Sequence, residues 1–236
     1  MLITVLGWFA AALSMALLWP QVWTSCVRRR TAGLSLTATW LGVALPVGWV
    51  TYGLLIGDRV QVVTNTVAAV AGVAVLTALL VTQPALSRRR AGAGAGAALV
   101  LLLATAAAAG AAQLPGIGGR AAGSVLGAVL TVAVVVANIP QPLALLRDRG
   151  QDLSGVSPAR WAFAAAANLC WSGYGHGVAQ PAVLICGLTG LASSLVVCWV
   201  LATAARPART SAATRPAIIA ESTEAESADA LVLAAA

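Results

Sequence analysis

Few residues in this sequence are equipped for covalent chemistry. Every basic residue is Arg, the only His is His176, and four of the seven acids (Glu221, Glu224, Glu226 and Asp229) lie close to the C-terminus. With no Lys anywhere, a mechanism built on a lysine Schiff base is excluded. Cys26, Cys170, Cys186 and Cys198 lack metal-ligand spacing, and one His cannot complete a site with them, so no metal or cofactor is expected. The apolar runs also hold no carboxylate pair and no Ser-His-Asp set, so catalysis is not expected. What the sequence repeats instead is aromatic and amide chemistry. Trp49 and Tyr52 stand three residues apart, as do Trp171 and Tyr174. An indole offers an apolar face and one N–H donor to a hydroxyl-rich ligand. Asn65, 16 residues after Trp49, brings donors and an acceptor, and Asn168, three residues before Trp171, shares its helical face. Core packing for the indoles and interhelical hydrogen bonds for the amides are the other readings.

The elements that position these side chains follow from composition. Hydrophobic residues make up 60% of the chain and charged residues 9%, with a mean hydropathy of +0.90. That leaves too little polar surface for a water-soluble globule, so the bilayer is the expected solvent. Uncharged runs at 1–27, 31–57, 60–87, 91–119 and 121–146 each hold one span, and the run at 161–205 holds two. Seven helices result, the last two turning near Gly175, Gly177 and Pro181. Helix four is expected over 96–114, preceded by an Arg-, Gly- and Ala-rich linker from Arg88. Twelve Arg residues follow helices one, three, five and seven, while Arg59 and Arg120 alone fall at the other ends. Arginine-rich loops stay cytoplasmic, so the N-terminus is expected outside and the C-terminus inside. The net charge of +7 thus reads as topology and not as a nucleic-acid surface. Residues 206–236 are Pro-, Ala-, Ser-, Thr- and Glu-rich and read as a disordered tail.

Two distant segments repeat the same punctuation. LLWPQVW ends helix one, Gly33-Leu34-Ser35 opens helix two, and GWVTYG follows; ANIPQPL ends helix five, Gly155-Val156-Ser157 opens helix six, and NLCWSGYG follows. Ser35 to Trp49 and Ser157 to Trp171 are both 14 residues. With Pro20-Gln21 and Pro140-Gln141 duplicated at this spacing, the chain resembles the PQ-loop repeat proteins, and within them the seven-helix sugar facilitators called SWEETs. The resemblance implies an all-α membrane protein with two parallel three-helix repeats joined by a linker helix. The boundaries are then 1–87 for the first repeat, 88–119 for the linker and helix four, 120–205 for the second repeat and 206–236 for the tail.

The resemblance also implies roles. Pro20, Gln21, Pro140 and Gln141 would be hinges, for which a plain interfacial kink is the alternative. Trp49, Trp171 and Asn65 would touch the solute, with Asn168 compensating for Gly187, which stands where the second repeat lacks an Asn; Asn138 would reach the same pathway. Tyr52, Asp58 and Tyr174 would close an outer gate by pairing and stacking, Arg59 beside them, with solvated loop charges as the other reading. No Asp, Glu, Arg or Lys falls inside a span, which favours passive movement over proton symport, His176 being the one candidate exception. The expected function is facilitated diffusion of a small neutral polar solute, a mono- or disaccharide, by alternating access across a plasma membrane of bacterial type. A PQ-loop amino-acid carrier, proton-coupled or not, and a receptor or assembly protein that moves nothing are the alternatives. The expected partners are the solute and the lipid bilayer, with self-association left open.

Overall fold

Side-chain caps begin the helices that carry the repeat. Ser35 Oγ accepts from the N–H of Ala38 at 3.3 Å and Ser157 Oγ from that of Arg160 at 3.4 Å, while Asp58 Oδ1 accepts from the N–H of Gln61 at 3.1 Å. Each cap satisfies a backbone donor that the first helical turn leaves free. The computed structural model describes residues 1–31, 34–83, 88–147 and 157–204, and all elements among them are helical. They are α1 (Leu2–Val22), prolonged by a π turn over Trp23–Val27, α2 (Leu36–Ile56), α3 (Arg59–Thr82), α4 (Arg88–Ala111), α5 (Gly119–Asn138), α6 (Pro140–Arg147), α7 (Pro158–Gly177) and α8 (Pro181–Ala204). The α2–α3 and α7–α8 hairpins turn alike, through left-handed residues at Gly57 (φ 77°) and Ala179 (φ 53°).

Six helices are long and apolar enough to cross a membrane: α1 with its π turn, α2, α3, α4 from Gly94, α5 and α8. This is a multi-pass membrane protein. The other expected span, α7, is a helix of 20 residues whose Asn168, Ser172 and His176 lower its hydropathy. Two expectations need correction. Residues 88–95 are helical and not a linker, because α4 starts at Arg88; Gly94 lets it press on α2, where a methyl group would stand 2.8 Å from Thr37 Cα. Nor does the first Pro-Gln pair end its helix, whereas the second stands where α5 stops, as expected. The chain stays helical through Pro20 to the π turn, while at Pro140 it breaks only at Ile139 and resumes as α6. Proline lacks one N–H, and a helix passes it when the preceding turn can adjust. The Gly33 and Gly155-Val156 helix starts and the 206–236 tail lie outside the described residues.

Packing sets the arrangement. In the first half α3 touches both α1 and α2, and in the second half α8 touches both α5 and α7; the halves meet where α1 packs on α7 and α2 on α5. The six helices therefore form a ring in the order α1, α3, α2, α5, α8, α7. Helix α4 lies against the α2–α5 seam, where Ala98 and Leu101 pack with Ala44. Outward faces carry exposed residues such as Phe9, Val70, Val132 and Leu195, as expected where lipid is the solvent. The main core cluster, with Trp49, Tyr52, Leu126, Leu130 and Tyr174, sits toward the end formed by the two hairpins. The opposite, Arg-rich end has a polar staple in which the Thr31 and Thr82 hydroxyls pair at 2.6 Å and Gln83 Nε2 donates to the Thr31 carbonyl at 2.8 Å.

Candidate functional site

A cavity of about 290 Å³ opens inside this ring. Its lining obeys the repeat. Residues of α1 and α5 correspond at an offset of 120, and those of α2 and α3 correspond to α7 and α8 at 122. Under those offsets Trp49 pairs with Trp171, Ser14 with Val134 and Leu18 with Asn138, and all six line the cavity. The α3 and α8 walls follow suit: Gln61 faces Val183, Thr64 faces Cys186, Asn65 faces Gly187 and Ala68 faces Gly190. The cavity thus straddles the axis relating the halves. Asn168 also lines it, although its counterpart Pro46 does not.

All four predicted binding residues, Trp49, Asn65, Trp171 and Asn168, meet here, as does Asn138. Each indole stands edge-on to the tyrosine one helical turn further along: Trp49 to Tyr52 at 5.2 Å and 82°, Trp171 to Tyr174 at 5.8 Å and 76°. The expected stacking of Tyr52 on Tyr174 is replaced by these pairs within each helix, because spacing of three residues brings side chains onto one face. The two indoles differ chemically. Trp171 Nε1 donates to Ser14 Oγ at 2.9 Å across the α1–α7 seam. Its N–H is therefore not offered to a ligand, contrary to expectation. At the equivalent place beside Trp49 stands Val134, which cannot accept. The amides are anchored to their own helices: Asn65 Nδ2 donates to the carbonyl and to Oε1 of Gln61 at 3.0 and 2.9 Å, Asn138 Nδ2 to the Val134 carbonyl at 2.9 Å, and Asn168 Nδ2 to the Ala164 carbonyl at 2.9 Å.

Toward the hairpin end the cavity is capped. Asp58 is only 6% exposed, although it sits at the start of α3. Its carboxylate accepts from the Tyr174 hydroxyl, 2.9 Å from both oxygens, and from Gln180 Nε2 at 3.0 Å. Asp58 caps α3 from the hairpin and can be buried there because partners from the other half satisfy it. One correction follows. Arg59 takes no part; it is exposed. Gln180 is itself the repeat equivalent of Asp58, so the cap joins equivalent positions on the axis. Its Oε1 is buried and has no hydrogen-bond partner among the described residues. Glycines let the tyrosines in: a methyl group at Gly7 would stand 2.6 Å from the Tyr174 ring, and one at the equivalent Gly127 2.7 Å from the Tyr52 ring.

The predicted hinges lie elsewhere. Pro20 and Gln21 line a second cleft, of about 500 Å³, between α1 and α7 toward the Arg-rich end, together with Arg160 and Phe163. Gln21 Nε2 donates to Ser25 Oγ at 2.8 Å. Pro140 and Gln141 fall outside the described side chains. His176 is exposed. Sequence reasoning missed Ser14, Gln61 and Gln180. The repeat offset from Asp58 points to Gln180, whereas nothing marks Ser14 within its apolar run.

Residues 2–59 match the PQ loop repeat family. That stretch holds Pro20-Gln21, Trp49 and Asp58. No curated protein matches the chain by sequence. A solved structure of a eukaryotic SWEET transporter superposes with a TM-score of 0.67 at 12% identity, covering 87% of this chain and 99% of that one. The fold is SWEET-like. In that SWEET-like frame the PQ-loop match covers α1, α2 and the hairpin that holds Asp58, the part of the first half that reaches both the cavity and its cap.

Proposed function

We propose that this membrane transporter carries a small neutral polar solute, a mono- or disaccharide, by facilitated diffusion with alternating access. One observation carries the reading: a cavity lined by two repeat-equivalent indoles and by amide side chains lies on the axis between two half-bundles and is capped at one end by hydrogen bonds between the halves. A cavity of this kind, made by repeats about a common axis, is how many carriers expose one site alternately to either side. In this reading the chain spans the membrane seven times, three helices in each half with α4 between them. The Arg-rich end faces the cytoplasm of a plasma membrane and the hairpin end faces outward. Asp58, Tyr174 and Gln180 form the outer gate, with Tyr52 wedged against Gly127 beside it. Trp49, Trp171, Asn65 and Asn168 hold the solute, and the Pro-Gln pairs absorb the bending as the halves part.

Proteoliposome counterflow of labelled glucose and sucrose, with and without a pH gradient, tests this directly. Counterflow that needs no gradient and is lost in Trp49→Ala and Asn65→Ala is the expected result. The buried Asp58 favours one second reading, a proton-coupled amino-acid carrier, since an ionisable group between two half-bundles is what proton coupling requires. Amino-acid movement driven by the pH gradient and abolished in Asp58→Asn would replace the first reading with the second. A receptor or assembly role would stand instead if no solute moved.

A further inference from the structure

The repeat makes the two seams between the halves equivalent, yet they are closed differently. Along α2 and α5 the groove is filled by α4: Leu41 packs against the cluster of Ala44, Ala98 and Leu101, and Gly94 comes up against Thr37. At the offset of 122, Thr37, Ala38 and Leu41 correspond to Ala159, Arg160 and Phe163 at the α1–α7 seam. No helix among the described residues covers that seam as α4 covers the other, and these three residues line the open cleft of about 500 Å³ instead. Arg160 in the place of Ala38 changes what the groove can hold. An apolar helix suits the first seam, whereas the second brings a guanidinium together with the hydroxyls of Thr24 and Ser157 and the amide of Gln21.

Depth and charge name the occupant. Trp19 and Trp23 are exposed on α1 beside Pro20, Gln21 and Thr24, and exposed indoles of a membrane protein gather where headgroups meet hydrocarbon. One helical turn nearer the middle of the bundle, Leu17 and Phe163 make the lining apolar. Polar groups at the headgroup level with apolar groups beneath them match the layering of a phospholipid. The planar fork of an arginine can donate two parallel N–H bonds to a phosphate. Gln21 turns its Nε2 to Ser25 Oγ at 2.8 Å, which leaves Oε1 as an acceptor for a hydroxyl. The one acid among the described residues, Asp58, is buried at the hairpin end, so no described carboxylate pairs with Arg160 or awaits an ammonium group.

We propose that the α1–α7 cleft binds one anionic phospholipid with a hydroxyl-bearing headgroup, of the phosphatidylglycerol type, from the leaflet at the Arg-rich end. Its phosphate lies on Arg160 between the hydroxyls of Thr24 and Ser157, a headgroup hydroxyl donates to Gln21, and the start of an acyl chain runs over Leu17 and Phe163. The lipid thus takes on one seam the place that α4 has on the other. Basic pockets between membrane helices hold anionic headgroups in this way. A zwitterionic lipid finds the same phosphate contact and nothing for its ammonium, and a free phosphate lacks the chain that covers the apolar lining. The site requires only that the chain spans a bilayer, whatever the central cavity carries.

The test counts lipids retained by the purified full-length protein in native mass spectrometry, with phosphatidylglycerol or phosphatidylcholine of matched chains titrated into the detergent. The first phosphatidylglycerol should bind about tenfold more tightly than the first phosphatidylcholine, the scale of one charge-assisted contact. Arg160→Gln should remove that preference, while Arg28→Gln, which changes an exposed arginine at the same end but outside the cleft, should leave it. Ala159→Trp keeps the charge and fills the cleft, so it should abolish the preference as well. Inorganic phosphate and glycerophosphoglycerol, the headgroup without its chains, should not displace the lipid. Unchanged thermal unfolding of the lipid-free variants shows that the cleft and not the fold was altered, and if Arg160→Gln does not fold, Ala159→Trp decides alone. Equal retention of the two lipids, or a preference that survives in a folded Arg160→Gln or Ala159→Trp, overturns the proposal in favour of an unselective lipid annulus. Equal loss in Arg28→Gln overturns it in favour of diffuse attraction to the arginines, and displacement by either soluble anion in favour of an anion site that needs no lipid.

Discussion

Removing the Asp58 carboxylate should open the hairpin end of the bundle. The Tyr174 hydroxyl has one proton, so its two 2.9 Å contacts count as a single bond, and Gln180 adds a second at 3.0 Å. Hydrogen bonds to a charged group contribute about 1.5–3 kcal/mol each, and opening hands the partners back to water, so about 3 kcal/mol for the pair is a fair net difference. At about 1.4 kcal/mol per tenfold, the population open at that end should rise roughly a hundredfold in Asp58→Ala. Tyr174→Phe deletes one of the two bonds and should give about tenfold. Cys186 lines the cavity below the cap and serves as the reporter once Cys26, Cys170 and Cys198 are replaced by Ser. A membrane-impermeant maleimide applied from the hairpin side should label it faster by those factors in sealed, oriented vesicles. Labelling from that side at the wild-type rate in a protein that still folds, or a larger effect from Tyr174→Phe than from Asp58→Ala, would refute the argument.

Three further outcomes follow from contacts described above. Gly7→Ala and Gly127→Ala each drive a methyl group into a tyrosine ring and should lower stability by about 1–3 kcal/mol, read as a drop in Tm in detergent, whereas Gly42→Ala, which meets nothing, should not. Ser14→Ala strands the Trp171 N–H and should cost about 1–3 kcal/mol, while Ser14→Thr, which keeps the acceptor, recovers most of it. Pro20→Ala should leave Tm unchanged or higher, because α1 already runs helically through that position. If Pro20 is a hinge, counterflow slows in the same variant, and an unaltered rate would assign it to a passive kink.

The sequence carried the bundle in three kinds of signal: uncharged runs gave the helices, Ser35 and Ser157 gave the starts of two of them, and the duplicated Trp-X-X-Tyr spacing gave the pairing of halves. That spacing also led to the cavity, because equivalent residues of a parallel repeat converge on the axis. What stayed hidden depends on contacts between distant segments. The partner of Asp58 is 116 residues away, and that of Trp171 is 157 residues away. No periodicity within one helix reports on either. Asp58 falls between two uncharged runs, and no pattern in the sequence says whether a side chain that caps α3 turns inward or outward. The start of α4 was misplaced for a related reason: Arg and Gly read as loop, but a glycine that lets two helices approach closely favours the helix that contains it.

The two seams of the ring are unequal. Along α2 and α5 the third partner, α4, binds the halves like the spine of a book; along α1 and α7 nothing comparable is present among the described residues, and a cleft of about 500 Å³ runs beside Pro20 and Phe163. Any separation of the halves therefore widens the α1–α7 fore-edge, where the neighbouring medium is hydrocarbon chains and not water. The Ser14 to Trp171 bond crosses that edge, so widening it would pull on a residue in the wall of the cavity.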